Sequence, residues 1–326
     1  MKTRILGTGR GVPTKILTNA DLEKLVETSD SWIRERTGIG ERRIIEEGRV
    51  TSDLATEAGL KACEMAGVKP QEIDCIIVGT VTPDVPFPAT AVFVQQKMGT
   101  GPCAAFDISA ACAGFIYGLA MGDAFVRNRQ FKRVLVIGVE ILSRITDYTD
   151  RNTCVLFGDG AGAVVLGPEE GNRGILSTHL YADGAAGAEH LNVPAGGTRL
   201  PISVDTVAQR LHYIRMNGKA VFTHAVKNIA ASCVAALEAN KMSASDVDLV
   251  VAHQANLRIL QGVAERCRLP MQKFYLNIER YGNTSSASIP IALDECVRDG
   301  KVKEGMTILT TALGAGFSWG SAMVRW

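Results

Sequence analysis

The chain has 326 residues, of which 46% are hydrophobic, enough to bury a large core in one or two domains. Its 35 lysines and arginines nearly balance 34 aspartates and glutamates, and a net charge of +1 argues against a nucleic-acid-binding protein or a protein that binds membrane surfaces. Eight scattered cysteines without C-x-x-C or metal-ligand spacing predict reduced thiols, no metal site and a cytoplasmic location.

The chain opens on a predicted strand at residues 4–8, followed by a turn and a helix that starts with Asn19 as its cap. Because the amino terminus enters a strand at once and no apolar run reaches the ~20 residues that span a bilayer, we expect neither export nor membrane insertion. In the polar loop that follows, Trp32 precedes Arg34 and Arg36. A surface aromatic on a solvated helix is the commoner interpretation, but an indole beside guanidinium groups also suits an adenine ring and phosphates.

From residue 52 the sequence follows a pattern that returns in the second half. Residues 52–79 and 225–252 each give an amphipathic helix, a linker and an apolar strand. Each half then has a second helix, a turn, a further helix and a strand. The turns carry Cys112 and Asn283, and both halves close on glycine-led strands with similar sequences. We interpret this pattern as an internal duplication.

Alternating helices and nearly continuous apolar strands indicate buried sheets that are covered by helices. Two such halves facing each other predict an α/β protein, a five-layered α/β/α/β/α sandwich whose halves are residues 1–172 and 173–326. A glycine-rich stretch at about 184–203 is too long and irregular for a tight connection, and we expect a surface excursion there.

Cys112 lies where an apolar strand at 106–109 meets a helix whose apolar spacing runs to Arg127. The free N–H groups and the macrodipole of a helix N-terminus favour a thiolate, so we expect the pKa of Cys112 to fall below the free value of ~8.5. The predicted role is that of a nucleophile. The alternative is a small packing residue among alanines, since free cysteines are among the most buried residues.

Two further side chains follow strands of the second half. His253 is the one histidine of five at the carboxyl end of a buried strand, and Asn283 occupies the turn equivalent to that of Cys112. If the halves pack about a pseudo-twofold axis, all three side chains converge on one cleft; Asn283 taken alone could be only a helix cap. The residues 314–316 offer unhindered backbone N–H groups, which with that of Cys112 could form an oxyanion hole.

Four segments then occur in order: DISAACAGF around Cys112, HQANLR from His253, YGNTSSAS around Asn283 and GAGFSWGSA from Gly314. Together they resemble β-ketoacyl-acyl-carrier-protein synthase III, of the thiolase superfamily, and the resemblance extends from Ile5 to Trp326. It implies a thiolase-like fold and a ping-pong reaction without a cofactor. Cys112 takes an acyl group from a short acyl-CoA such as acetyl-CoA, malonyl-acyl carrier protein loses carbon dioxide, and the carbanion attacks the acyl thioester. The product, 3-oxoacyl-acyl carrier protein, would initiate type II fatty acid synthesis.

The resemblance also implies roles for individual residues. His253 and Asn283 would hydrogen-bond the malonyl thioester oxygen as it becomes enolate-like, and the N–H groups of Cys112 and Ala315 would hold the oxyanion. Many members have glycine where this chain has Ala315, but a backbone donor keeps its role if the local φ and ψ suit a residue with Cβ.

Binding roles follow from the same resemblance. The residues expected to bind CoA and its pantetheine arm are Trp32, Arg36, Arg151, Gly218 and Asn256. The segment expected to bind the acidic carrier protein is Gln254, Ala255, Asn256, Leu257 and Arg258. The residues expected at the acyl pocket are Leu313 and, reaching across a homodimer interface to the partner's pocket, Phe87. The family buries the strand before Cys112 in that interface, which predicts a homodimer.

Other functions remain to be weighed. A cysteine peptidase uses Cys, His and Asn in this chain order, but its local cysteine signature is absent and a duplicated sandwich is not its architecture. A silent scaffold would have no reason to keep all three side chains. A thiolase would carry a second catalytic cysteine near the carboxyl end, and residues 311–322 contain none. A related condensing enzyme of secondary metabolism, with a different primer or extender, stays open.

Overall fold

A computed structural model describes all residues from 1 to 326. The strands are β1 (Lys2–Gly11), β2 (Lys15–Thr18), β3 (Glu41–Ile44), β4 (Cys75–Gly79), β5 (Ala104–Ile108), β6 (Val134–Ile141), β7 (Asp159–Glu169), β8 (Gly174–Asp183), β9 (Leu191–Asn192), β10 (Arg215–Met216), β11 (Leu249–Ala252), β12 (Thr307–Gly314) and β13 (Gly316–Arg325). The helices are α1 (Asn19–Leu22), α2 (Asp30–Thr37), α3 (Thr51–Ala66), α4 (Thr90–Met98), α5 (Gly114–Arg127), α6 (Arg151–Cys154), α7 (Gly184–Gly187), α8 (Val204–Ala208), α9 (Gly218–Ala239), α10 (Leu257–Cys267), α11 (Ile278–Tyr281) and α12 (Ser288–Arg298).

Two large sheets carry the fold, and their strand orders show the duplication. The first sheet has the order β1-β7-β6-β4-β5 and the second β8-β13-β12-β11. The last strand of each half, β7 in the first sheet and β13 in the second, is antiparallel to the strands beside it. The pairs β4–β6 and β11–β12 are parallel and occupy equivalent places in the two sheets. A fifth strand in the second sheet is reduced to a single parallel bridge between Val250 and Phe274. The proposed division after residue 172 falls between β7 and β8.

Helices cover both faces of both sheets. Helix α3 packs on the outer face of the first sheet, α9 packs on the outer face of the second, and α5 and α12 lie between the sheets. Neighbouring strand residues therefore enter different cores: Ile77 packs in the central layer and Ile76 against the outer helices. Burial on both faces explains why these strands are apolar without alternation. The five-layered sandwich predicted from the sequence is confirmed.

The elements on either side of Cys112 agree closely with those predicted from the sequence, whereas the predicted cap of the first helix is wrong. Helix α5 ends at Arg127 as predicted, and the strand that leads to Cys112 is β5. At α1 the cap is Thr18 instead of Asn19. The Thr18 hydroxyl accepts from the Asp21 N–H and the Asp21 carboxylate accepts from the Thr18 N–H, a reciprocal capping box.

Helix α9 is long and apolar enough, by length and composition, to cross a membrane. This differs from the expectation that no segment meets that criterion. Its inner face includes Val226, Ile229 and Cys233, which pack in the outer core of the second half, and 44% of the apolar window is buried within the protein. A helix with one face in the core is weak support for a membrane span, because core helices pass the same test.

Candidate active site

Cys112 lies in a short 3-10 turn, residues 111–113, between β5 and α5. The residue before it, Ala111, has a φ of 46°, which bends the chain sharply from strand to helix. The thiol is 9% exposed, and two cavities meet at it. The nucleophile predicted from the sequence therefore has room on two sides.

The first cavity has a volume of about 220 Å³ and almost entirely apolar walls. Its lining residues are Val81, Ala111, Cys112, Leu142, Ile145, Phe157, Leu191, Asn192, Val193, Ile214, Ser285 and Ala315. No charged side chain reaches it, so it suits a short hydrocarbon chain. Leu313, expected at an acyl pocket, is not among these residues.

The second cavity, of about 140 Å³, leads from Cys112 past His253 and Asn283 to Gly218 and Asn256. The three side chains predicted to converge are thus brought to one cavity. Leu313, the last but one residue of β12, also lines this second cavity. The two cavities share Cys112, Phe157 and Leu191, and the role of Leu313 at the acyl pocket stays a prediction.

The expected lowering of the thiol pKa is not found in this structure. The pKa of Cys112 is raised to about 12, mainly by burial; the Ser285 hydroxyl acts to lower it and the nearby Glu140 carboxylate to raise it. The position before a helix is as predicted, but the sequence did not show that the thiol is desolvated. Removal of water disfavours the charged form more strongly than the helix terminus favours it.

His253 is the residue after β11 and is buried. Its Nδ1 lies 2.7 Å from the Ser288 hydroxyl, which also accepts a hydrogen bond of 3.3 Å from the Gln254 N–H. The Ser288 proton is therefore directed at Nδ1, and the imidazole carries its own proton on Nε2. Burial lowers the pKa of His253 to about 3, so the ring is neutral at pH 7. His253 thus offers an uncharged N–H donor.

Asn283 is oriented by the turn in which it lies. Its Oδ1 accepts a 2.8 Å hydrogen bond from the Ser285 N–H, so the free face of the amide is its NH2 group. Both His253 and Asn283 line the cavity next to Cys112. Two neutral donors beside a cysteine can stabilise a negative oxygen that forms there.

The backbone that would complete an oxyanion hole approaches Cys112 closely. A Cβ on Gly314 would lie 2.5 Å from the Cys112 nitrogen, so only glycine allows the end of β12 to reach the cysteine turn. Ala315 follows it and lines the first cavity together with Cys112. Its backbone does not adopt a positive φ, so the alanine fits where relatives are expected to have glycine.

An aromatic and cationic cluster is built from α2 and α6. The Arg151 guanidinium carbon lies 4.2 Å and that of Arg36 5.8 Å from the centre of the Trp32 indole ring. The Nε atom of Arg151 is buried and has no hydrogen-bond partner. A stacked aromatic ring and an anionic group are the ligands that suit such a cluster.

The segment that follows His253 divides between interior and surface. Gln254 is 1% exposed, and its side chain bonds to the carbonyls of Ala252 and Tyr275 and to the N–H of Asn277. Its buried side chain cannot contact a carrier protein, so that assignment is corrected. The Gln254 amide instead provides hydrogen bonds to buried backbone groups.

The rest of the segment leads outward. Ala255 and Asn256 line the second cavity; Asn256 also caps α10 and donates 3.1 Å to the Arg36 carbonyl. Leu257 is half-buried and Arg258 is exposed. Among these residues Arg258 alone is exposed. Phe87 is 85% exposed and lines neither cavity of its own chain.

Sequence reasoning missed three polar residues behind the site: Glu140, Ser285 and Ser288. A glutamate inside the apolar run of β6 was the signal that could have found the first of them.

The duplication also pairs the turns differently from the prediction. Ala111 and Ser285 have similar positive φ values of 46° and 49°, and each opens a 3-10 turn before a helix. The structural counterpart of Cys112 is therefore Ser286, three residues beyond Asn283.

Known families and proteins that are similar to this chain share one description. The family description 3-oxoacyl-[acyl-carrier-protein] synthase III matches residues 106–184, and that of its C-terminal part matches residues 237–326. The chain is 52% identical to a β-ketoacyl-[acyl-carrier-protein] synthase III of Caldanaerobacter subterraneus subsp. tengcongensis over 99% of this chain and 97% of the relative. It is 51% identical to one from Xanthomonas campestris pv. campestris over 99% and 98%.

Solved structures give the same result. The 3-oxoacyl-[acyl-carrier-protein] synthase III of Aquifex aeolicus has a TM-score of 0.92 at 46% identity and covers 99% of this chain and 100% of that chain. The priming β-ketosynthase of the R1128 polyketide pathway has a TM-score of 0.92 at 34% identity, covering 99% and 96%.

Proposed function

We infer that this chain, which belongs to the 3-oxoacyl-[acyl-carrier-protein] synthase III family, is an acyltransferase that condenses a short acyl-CoA with malonyl-acyl carrier protein. The product is 3-oxoacyl-acyl carrier protein, and the reaction initiates type II fatty acid synthesis. One observation carries the mechanism: two neutral N–H donors and a buried thiol share one cavity, and an apolar cavity opens on the other side of the thiol. The relative from a polyketide pathway, at 34% identity, keeps a condensing enzyme with another primer as the second candidate.

Acylation comes first. The acyl chain enters the apolar cavity, and Cys112 attacks the thioester carbonyl as its thiol loses the proton. The carbonyl oxygen becomes an oxyanion between the backbone N–H groups of Cys112 and Ala315. Collapse of this intermediate expels the CoA thiolate, which takes a proton from water, and leaves an acyl group on Cys112.

Condensation follows in the second cavity. The malonyl thioester oxygen accepts hydrogen bonds from the Nε2–H of His253 and the amide of Asn283, which strengthen as carbon dioxide leaves and the enolate forms. Both donors are neutral and buried, so they stabilise the new charge with little reorganisation. The carbanion then attacks the acyl carbon, the C–C bond forms, and Cys112 leaves as a thiolate that is protonated again.

Recognition of the two substrates uses separate surfaces. We assign the adenine and phosphates of CoA to Trp32, Arg36 and Arg151, and the pantetheine arm to the cavity between Gly218 and Asn256. The exposed Arg258 guanidinium at the start of α10 is placed to attract an acidic carrier protein. The substrates themselves supply all the chemistry, and we propose no cofactor.

We also propose a homodimer in the cytoplasm. Strand β5 is an edge strand of the first sheet, and its residues, Ala104 to Ile108, are all only half-buried in a single chain. Pairing with a second copy would cover them. In that arrangement the exposed Phe87 ring would reach the acyl cavity of the partner, whose volume of about 220 Å³ suits a short primer such as acetyl. All eight cysteines are free, as in a reducing compartment.

A panel of acyl-CoA substrates tests the function. Purified protein with malonyl-acyl carrier protein should release carbon dioxide and form 3-oxoacyl product when a short acyl-CoA such as acetyl-CoA is supplied. Hydrolysis of acyl-CoA without C–C bond formation would refute the condensing function. Sedimentation as a stable monomer at micromolar concentration would refute the homodimer and the role of Phe87 together.

A further inference from the structure

Glu140 is a buried carboxyl group that the proposed function does not use. It is the last but one residue of β6 and is completely buried, and no lysine or arginine pairs with it. Burial raises its pKa to about 7. A carboxyl group without a cation is costly to bury, and a costly group in the wall of an active site calls for a role.

The hydrogen bonds of Glu140 join two segments that form the site. From the loop after β4, Oε2 accepts from the Thr82 hydroxyl at 2.7 Å and from the Val81 N–H at 3.1 Å. From the turn that carries Asn283, Oε1 accepts from the hydroxyls of Ser285 and Ser286, each at 3.2 Å. The two oxygens thus bond to two different segments behind the catalytic cavities.

Ser285 connects this carboxyl group to the nucleophile. Its hydroxyl donates to Glu140 in this structure, and by donating instead to the thiolate it lowers the pKa of Cys112. Ser286 is less suited to this task, because its proton has a shorter bond of 2.7 Å to the Gly79 carbonyl. Ser285 therefore bonds to Glu140 Oε1 and lines the same cavity as the Cys112 thiol, so its hydroxyl can link the two acids.

The remaining neighbours of Glu140 are uncharged. Besides the Cys112 thiol, the groups that face it are hydroxyls and one N–H. Asp159, on the adjacent strand β7, turns instead to Ser143 and to the Ile45 N–H. Glu140 and Cys112 are therefore two acids that share a dry site, and the charge of one raises the pKa of the other. Such a pair holds a single negative charge most readily.

We propose that Glu140 accepts the proton of Cys112 through the Ser285 hydroxyl when the thiol attacks acyl-CoA, and returns it after condensation. In acylation the S–H proton passes to the Ser285 oxygen while the Ser285 proton passes to Glu140, so the negative charge moves from carboxylate to sulfur. The departing CoA thiolate is protonated by water. When the condensation expels Cys112 as a thiolate, the same proton returns, and the enzyme is restored. This inference rests on the proposed acylation of Cys112.

The chain offers two variants that interrupt this path without moving the other donors. Glu140→Gln keeps the size of the side chain but cannot take up a proton. Ser285→Ala removes the hydroxyl and keeps the N–H that holds Asn283; alanine tolerates the conformation, since Ala111 adopts it in the other half. Glu295→Gln, the same change in a buried carboxyl group that bonds to Tyr281 and Asn277 and pairs with Arg280, is the control for loss of a buried carboxylate away from the site.

The experiment measures transfer of label from [14C]acetyl-CoA, or [14C]isobutyryl-CoA, to Cys112 in rapid-quench mixing from pH 5.5 to 9. We expect Glu140→Gln and Ser285→Ala to lose about 10²-fold in rate near pH 7 and to gain rate steadily up to pH 9, as the fraction of free thiolate rises. The control should keep the wild-type profile. In a Cys112→Ala background, Ser285→Ala should still decarboxylate malonyl-acyl carrier protein within about threefold of that parent, because the Asn283 donor stays in place.

Three results would overturn the relay. Wild-type rates and pH profile in both variants would show that Glu140 takes no proton. Equal losses of acylation and decarboxylation would show that Glu140 only holds the Asn283 turn. If Glu140→Gln does not fold, Ser285→Ala alone tests the relay, and a wild-type acylation rate in that variant would refute proton transfer through Ser285. A wild type that no acyl-CoA labels would remove the proposed function itself, and the relay with it.

Discussion

Separating the two half-reactions tests the proposed roles of Cys112, His253 and Asn283. Asn283→Asp is the most informative change, because the carboxylate still accepts the Ser285 N–H while a donor toward the enolate is lost. Asn283→Ala would leave that buried N–H without a partner, at a cost of about 1–3 kcal/mol in folding stability. The aspartate variant therefore isolates the chemistry from the fold.

The expected loss of decarboxylation rate follows from the buried position of the hydrogen-bond donor that is removed. Loss of one hydrogen-bond donor to a developing oxyanion typically costs ~10²–10³ in rate, about 2.7–4 kcal/mol, and a carboxylate adds repulsion. Decarboxylation by Asn283→Asp and by His253→Ala should fall at least ~10²-fold. Acylation from acyl-CoA should stay within a few-fold in His253→Ala, because His253 does not hold the first oxyanion, and should fall less than decarboxylation in Asn283→Asp, where the new carboxylate also disfavours the Cys112 thiolate. Cys112→Ala should show the reverse, with no acyl-enzyme but continued release of carbon dioxide.

The assay follows radiolabel on the protein from acyl-CoA and labelled carbon dioxide from malonyl-acyl carrier protein, with each variant checked by circular dichroism. His179→Ala is a suitable control, because His179 bonds to Ser177 on β8 and lines neither cavity. In a cysteine hydrolase the histidine activates the thiol. Complete loss of acylation in His253→Ala, with decarboxylation intact, would therefore refute the roles proposed for the donors.

Three further predictions concern other parts of the chain. Arg258→Glu should weaken use of the carrier-protein substrate at least ~10-fold while self-acylation from acyl-CoA is unchanged; equal losses would mean a structural role. Trp32→Ala should raise the KM for acyl-CoA by roughly tenfold with little change in kcat, because a stacked ring binds substrate and transition state alike. Because burial lowers the pKa of His253 to about 3, the unfolded chain binds a proton below pH 6.5 that the folded chain does not. Stability should therefore fall by about 2 kcal/mol between pH 7 and pH 5 from this group, and urea unfolding of His253→Gln should lack that part of the decline.

The sequence alone determined the features that depend on local pattern. Helical spacing located the end of α5 at Arg127, and continuous apolar runs predicted sheets buried on both faces. The internal repeat predicted two similar halves, and the strand orders of the two sheets follow it. Cys112 and His253 lie at strand ends that meet where the halves face each other, as the repeat predicted; Asn283 reaches the same cavity from a turn after α11 and not from a strand end.

Tertiary structure decided what depends on neighbours distant in sequence. Gln254 and Arg258 lie four residues apart, yet Gln254 hydrogen-bonds to buried backbone groups whereas Arg258 is exposed to solvent. The thiol of Cys112 lies before a helix as predicted, but burial, a non-local property, sets the direction of its pKa. Glu140 and Ser285 are 145 positions apart and bond only because the second half packs against the first. Local pattern fixes which elements form, whereas desolvation and hydrogen bonds across the interface between the halves set the chemistry of their side chains.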